Sequence, residues 1–150
     1  MEFIDDSKRS RKCIFCEKPK EKDDRKNLIL YRGKSCFVIM NRFPYSNGHL
    51  LIAPYRHVVN VEDLDKEESD ELMELVKRCM AVLKKNSKPD GINVGMNVGK
   101  AAGAGFEHVH VHVLPRFFGD TNFMPALAEV RVIPQHLTRT FDQLKKNFRY

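Results

Sequence analysis

The sequence predicts an α+β fold: a mainly antiparallel five-stranded sheet with one long helix and a short C-terminal helix. Three observations predict it. Residues 61–86 carry an apolar stripe at helical spacing. Five short apolar runs, bounded by Gly, Pro or Asn, have the length and alternation of strands. No repeat and no linker rich enough to divide the chain interrupts the 150 residues. That length suits a single domain, 1–150, with a conventional core.

The elements follow in order. Residues 1–26 form a polar N-terminal segment whose basic runs, 8–12 and 18–26, sit beside acidic residues and read as a solvated stretch. Within it Cys13-Ile14-Phe15-Cys16 is a small apolar knuckle. Residues 27–31 and 35–40 read as two strands joined at Arg32-Gly33. Residues 41–48 are a loop marked by Pro44 and Asn47-Gly48, and residues 49–54 are a third strand. In the helix, Glu62, Asp63 and Asp65 complement the positive N-terminal end of the dipole. Leu64, Leu72, Leu75, Val76, Cys79, Met80 and Leu83 form one stripe. Lys84, Lys85 and Lys88 suit its C-terminal end, and Pro89-Asp90-Gly91 stops it. Residues 92–98 alternate as a fourth strand, 99–105 are a small-residue loop, and 106–114 are a fifth strand that Pro115-Arg116 ends. The C-terminal tail, 117–150, closes with the short helix near 135–147.

Composition narrows the function classes. Apolar residues at 42% and charged residues at 31% argue against wholesale disorder. No apolar run approaches the roughly 18 to 20 residues of a membrane span. Charges fill the first 13 residues where a secretory signal needs an apolar core. The expected compartment is the cytoplasm, with a nuclear fraction compatible. The net charge of +6 suits anionic ligands such as nucleotides but is too weak by itself to argue for nucleic acid. In a reducing compartment the four cysteines are not expected to form disulfides. Cys36 and Cys79 fall on apolar stretches and read as packing.

The decisive segment is His108-Val109-His110-Val111-His112-Val113-Leu114. Alternate residues of a strand share a face, so the three imidazoles project together, about 6.6 Å apart from one to the next, with the valines toward the core. Three of the chain's six histidines on one strand face are hard to ascribe to chance. One metal ion held by all three is an alternative, but the spacing is long for ligand distances of about 2.0 to 2.1 Å. The chemistry that fits better is nucleophilic attack on phosphorus. A neutral imidazole is nucleophilic near neutral pH, and a second can hold a phosphate oxygen or protonate a leaving group. Gly103-Ala104-Gly105, just upstream, lets phosphate oxygens approach backbone N–H groups.

The run from His108 to Leu114 resembles the signature of the histidine-triad family, His-φ-His-φ-His-φ-φ with φ apolar. The resemblance extends to Asn41-Arg42-Phe43-Pro44, to Gly48-His49-Leu50-Leu51-Ile52-Ala53-Pro54 and to the spacing from Asn97 to His108, and covers roughly residues 13–116. Gly119-Asp120-Thr121-Asn122-Phe123-Met124-Pro125 is similar to a branch containing dinucleoside-polyphosphate phosphorylases and hydrolases. The resemblance implies a nucleotidyl hydrolase or transferase on a histidine-triad fold, usually a homodimer. It implies His110 as the nucleophile, giving a nucleotidyl-histidine intermediate, and His112 as phosphate ligand and leaving-group assistant. It implies Asn97 at the phosphate, Asn41 at the ribose, and the loop Gly103, Ala104, Gly105 alongside. Relatives often carry Gln and then Ser or Thr where this chain has Ala104 and Gly105. That departure bears on the substrate class, and backbone amides or Lys100 could substitute.

Cys13-x-x-Cys16 has the spacing of half a tetrahedral zinc site, and without a second cysteine pair two histidines would have to complete it. The resemblance suggests His57 and His108, because some relatives, and galactose-1-phosphate uridylyltransferases, hold zinc by such a set. A closed set of this kind implies structural Zn²⁺. Other readings stay open: a redox pair, although no thioredoxin-like pattern surrounds it, a surface His57, and a His108 that only supports His110. His49 reads as a satisfied core histidine, and His136 carries no motif.

The function expected is cleavage at the α-phosphate of dinucleoside polyphosphates, with Mg²⁺ able to accompany the substrate. The alternatives are an adenosine 5'-phosphoramidate hydrolase and a zinc-stabilised nucleotide- or nucleic-acid-binding module without catalysis. The last lacks a recognition helix and an aromatic RNA-binding strand.

Overall fold

The computed structural model describes residues 13–44, 46–120 and 134–148, the last stretch without the side chains of 134–136. The basic run at 8–12, the motif residues 121–125 and the side chain of His136 lie outside the described residues.

Five strands form one antiparallel sheet: β1 (Ile29–Arg32), β2 (Cys36–Met40), β3 (Leu50–Pro54), β4 (Gly91–Gly95) and β5 (Val111–Arg116). Their spatial order is β1-β2-β3-β5-β4. The helices are α1 (Ile14–Glu17), α2 (Asp24–Asn27), α3 (Lys66–Ser87) and α4 (Pro134–Asn147). The α+β class and the five-stranded sheet are therefore those the sequence predicts.

Every residue of β2 and β3 is buried, so both faces of the sheet's centre are covered. Cys36 points to α3, its Sγ 3.7 Å from the Glu68 carbonyl. By alternation Phe37 points to the opposite face, where it meets Phe15. The register Ile39–Leu51–His112 puts His112 on that second face, away from α3. Leu72, Leu75, Val76, Cys79 and Leu83 of the expected stripe are buried in α3, joined by Val82 and Glu68.

Several element boundaries differ from the sequence reading, each for a local reason. The long helix starts at Lys66, because Asp65 caps it: Glu68 N–H donates to Asp65 Oδ1 at 2.8 Å, and Asp65 N–H donates to Glu68 Oε2 at 3.0 Å. This reciprocal box satisfies two orphan donors. Residues 61–63 form only a 3₁₀ turn. A further turn, α2, occupies part of the expected polar stretch because Asp23 accepts from Lys26 N–H at 3.0 Å. It ends at Leu28 in left-handed geometry, which delays β1 to Ile29. The fourth strand stops at Gly95 rather than 98.

The fifth strand shifts most. It runs Val111–Arg116 instead of 106–114. Upstream, the β3–β5 ladder stops at the Ile52–Val111 pair, two residues before β3 ends, and Val109 N–H donates to the Val58 carbonyl at 2.7 Å instead of a ladder partner. Downstream, Pro115 continues the strand opposite Ile92. β3 pairs with β5 only from Val111 to Val113, so the ladder on that side no longer requires a donor at Pro115.

Two glycines are required by their surroundings. A Cβ on Gly33 would lie 2.7 Å from the Cys36 carbonyl and overlap the Glu71 carboxylate. That carboxylate accepts three successive N–H groups, from Lys34, Ser35 and Cys36, and so ties the β1–β2 turn to α3. Gly48 has φ +89° and would place a Cβ 3.1 Å from Leu83.

Candidate active site and metal cluster

His108, His110 and His112 do not line an open strand face as a simple half-buried strand would. His108 is 2% exposed and His110 6%. Phe15, from the α1 knuckle, covers them: its ring stacks on His110 at 4.9 Å and 27° and meets His108 at 5.3 Å. The three imidazoles then part company.

His108 joins a cluster with Cys13, Cys16 and His57, whose ligand atoms all lie within 4.8 Å of one another. Its Nδ1 is 3.3 Å from Cys13 Sγ, 3.6 Å from Cys16 Sγ and 3.2 Å from His57 Nδ1. Cys16 Sγ is 3.3 Å from His57 Nδ1. Tetrahedral zinc with Zn–S of about 2.3 Å and Zn–N of about 2.0–2.1 Å separates its ligands by about 3.3–3.8 Å. The donor set therefore fits such an ion in type and in spacing. His108 Nε2–H donates to the Pro54 carbonyl at 2.9 Å, leaving the Nδ1 lone pair for the cluster, as metal-bound imidazoles require. Burial and Cys13 push the Cys16 thiol up to about 11 in the absence of an ion. A bound dication reverses that, since coordinating thiols ionise.

His110 has the opposite arrangement. Its Nδ1–H donates to the His108 carbonyl at 2.7 Å, so Nε2 keeps its lone pair. Burial pulls its pKa down. His112 lies 4.9 Å from His110, ring to ring. Its Nδ1 accepts from His49 Nε2–H at 2.8 Å. His49 Nδ1 in turn accepts from Asn41 Nδ2–H at 3.2 Å, and Asn41 Oδ1 accepts from Phe43 N–H at 3.0 Å. The Phe43 backbone thus orients the Asn41 amide. The amide sets the His49 tautomer, and His49 sets that of His112, whose proton sits on Nε2. That Nε2 is buried and has no hydrogen-bond partner among the described residues. Burial first, then the neighbouring imidazoles, pull His49 down to about 3; burial and His110 pull His112 down to about 4. All three rings are neutral at physiological pH.

Of the expected site residues, the structure brings together Cys13, Cys16, His57 and His108 as one group, and Asn41, His110 and His112 as another. Asn97 and Gly103 are neighbours, with Asn97 Nδ2 3.7 Å from where a Gly103 Cβ would lie. Among the described residues, no hydrogen bond joins Asn97, Gly103, Ala104 or Gly105 to the imidazoles. Lys100 instead faces Glu107 at 3.9 Å. A single ion on all three triad histidines is not the arrangement found: only His108 reaches the cluster. His49 is buried as expected, yet it belongs to the site. A signal for it was present: Asn41 and His49 flank the β2–β3 turn, and Asn41 N–H donates to the His49 carbonyl at 3.0 Å. Arg56 anchors the His57 loop to α3 through a two-pronged pair with Glu68, at 2.9 and 2.7 Å. Among the described residues no helix is long and apolar enough to cross a membrane.

Comparison with known proteins agrees with this geometry. The HIT domain family matches residues 22–119. The chain is 44% identical over 127 residues to an AP-4-A phosphorylase of Mycobacterium tuberculosis (strain H37Rv), covering 84% of this chain and 65% of that protein. It spans just under two-thirds of that relative's length. It is 37% identical over 92 residues to a bis(5'-adenosyl)-triphosphatase of Dictyostelium discoideum, covering 61% of this chain and 62% of that one. Among solved structures, a hypothetical histidine triad nucleotide-binding protein from Sulfolobus tokodaii superposes with TM-score 0.76 at 25% identity, covering 91% of each chain. With the imidazole pattern and the sheet both in place, the chain belongs to the HIT, or histidine-triad, family.

Proposed function

We propose that this protein is a nucleotidyl hydrolase or transferase that cleaves dinucleoside polyphosphates at an α-phosphate through a nucleotidyl-histidine intermediate on His110. The names of the relatives support the substrate class. One observation carries the mechanism: a buried neutral imidazole offering Nε2 stands beside a second whose Nε2–H lacks an acceptor among the described residues. A buried N–H without a partner is costly, and a substrate phosphoryl oxygen supplies the acceptor.

The steps follow from those two atoms. His110 Nε2 forms a bond to the α-phosphorus as the bond to the bridging oxygen breaks and the remaining polyphosphate leaves. His110 Nδ1–H stays on the His108 carbonyl, which stabilises the ring as it becomes cationic. His112 Nε2–H binds a phosphoryl oxygen or the departing bridge oxygen. Water or inorganic phosphate then attacks the same phosphorus, and the N–P bond breaks to restore His110. Asn41, whose amide polar atoms already bond His49 and Phe43, acts as much on the His49–His112 chain as on a ribose. Asn97 and the loop Gly103, Ala104 and Gly105 close the phosphate end.

Cys13, Cys16, His57 and His108 hold Zn²⁺ in a closed structural site, which supplies fixation of the knuckle rather than a reactive ligand position. Mg²⁺ enters, where it does, as part of the polyphosphate substrate. The chain works as one domain and as a homodimer. β4 supports the dimer: it is an edge strand with Val94 exposed, and Met96 and Val98 beyond it are exposed too.

The test is turnover of diadenosine tetraphosphate with and without added phosphate, by the parent and by His110→Ala. The parent is expected to release mononucleotide products, with a nucleoside diphosphate appearing only if phosphate is the second acceptor. His110→Ala should lose at least about 10³-fold in kcat. Turnover within tenfold of the parent would remove His110 from the nucleophile's role.

A further inference from the structure

We propose that Phe15 is a positioning residue for His110: held between the two knuckle cysteines, its ring fixes the plane of the imidazole that attacks phosphorus. This rests on the assignment of His110 above. A hydrogen bond from Nδ1 to the His108 carbonyl pins one atom of that ring but leaves it free to rock about the bond. A face contact removes the rocking. Phe15 makes one, at 4.9 Å and 27°, the offset-stacked geometry that aromatic pairs favour.

Phe15 is itself immobilised. It is 1% exposed, with Phe106 edge-on at 5.9 Å and Phe37 at 6.5 Å. Its backbone lies in the α1 turn, where the Cys13 carbonyl accepts from both Cys16 and Glu17 N–H at 3.0 Å. Both ends of that turn carry cluster thiols, and the same ring touches His108, the cluster's imidazole from the catalytic strand. The knuckle thus reaches the nucleophile by two routes, through the His108 carbonyl and through the Phe15 ring. Filling the core would require only an apolar side chain at 15; holding the imidazole plane requires an aromatic face.

The experiment compares Phe15→Leu with Phe141→Leu in the full zinc-loaded chain. Phe141 is 3% exposed in the same core, but its ring faces Lys145 and makes no ring contact with Phe15 or the triad among the described residues, so its loss removes a buried aromatic without touching either. The first readout is NMR of histidine-labelled protein, with the His110 ring signals identified by their loss in His110→Ala. Phe15→Leu is expected to move the His110 ring-proton shifts, as the ring current of the stack disappears, and Phe141→Leu to leave them in place. The second readout is kinetic: Phe15→Leu is expected to lower kcat about tenfold with KM within about twofold, and Phe141→Leu to change neither beyond about twofold. Should Phe15→Leu not fold, Phe15→Met, a flexible filler of irregular gaps, takes its place with the same expectations. Unmoved His110 signals in the Phe15 variant, an equal kcat loss in Phe141→Leu, or a loss confined to KM would each overturn the proposal. A parent without turnover would instead contradict the function proposed above, while the NMR comparison still decides the role of Phe15.

Discussion

His108 and His110 stand two residues apart, both buried, both with one ring nitrogen on a backbone carbonyl, and yet they present opposite ring nitrogens. His108 spends Nε2–H on Pro54 and presents Nδ1 to the thiol cluster. His110 spends Nδ1–H on the His108 carbonyl, which leaves the lone pair on Nε2. What separates the proposed metal ligand from the proposed nucleophile is which carbonyl lies within reach, because the bonded nitrogen decides where the lone pair appears. His112 extends the same rule through side chains, since Asn41 and His49 place its proton on Nε2.

The comparison can be broken from the metal side first. Cys16→Ser removes one ligand of a closed set. Zinc content is expected to fall from about one ion per chain to near zero, with a large drop in thermal midpoint, since structural zinc contributes directly to folding. Elemental analysis with a melting curve checks both. Full zinc occupancy in the variant would mean that the cluster is not the site.

A smaller change sharpens the other half. Asn41→Asp keeps the shape but cannot donate to His49 Nδ1. His49 would then carry its proton on Nδ1 and accept from His112, which moves the His112 proton off Nε2. We expect kcat to fall about tenfold, less than the roughly 10²- to 10⁴-fold full contribution of one proton donor. Nitrogen NMR of the ring should show the His112 tautomer reversed. An unchanged tautomer would contradict the chain of hydrogen bonds.

The mildest effect is on pH. His49 and His112 bind protons near pH 6.5 when unfolded but only near about 3 and about 4 when folded. Between those values the unfolded state holds more protons, so stability must fall as pH drops below about 6.5. Thermal melts between pH 7 and 4.5 are expected to show a steady decline, shallower in a His49→Gln variant. A flat profile in the parent would contradict the buried neutral rings.

Much of this was legible from the residues alone. The alternation from His108 to His112, the Cys13–Cys16 spacing and the stripe from Leu72 to Leu83 each follow from a period or a spacing that local physics fixes. What escaped depends on partners distant in sequence. The burial of the imidazoles comes from Phe15, more than ninety residues upstream. The late start of β5 goes with the turning of Val109 N–H to the Val58 carbonyl, a partner that no feature of residues 106–116 reveals. The late start of α3 could have been found, because Asp65-Lys66-Glu67-Glu68 is a capping-box sequence.

The central claim is that His110 Nε2 forms a bond to phosphorus. Acid-quenched protein, mixed briefly with diadenosine tetraphosphate and examined by intact-mass spectrometry and peptide mapping, tests it directly. The account predicts a nucleotide-sized adduct on His110 through Nε2, absent from His110→Ala. An adduct on another residue would contradict it, as would product formation at full rate with no adduct at any quench time.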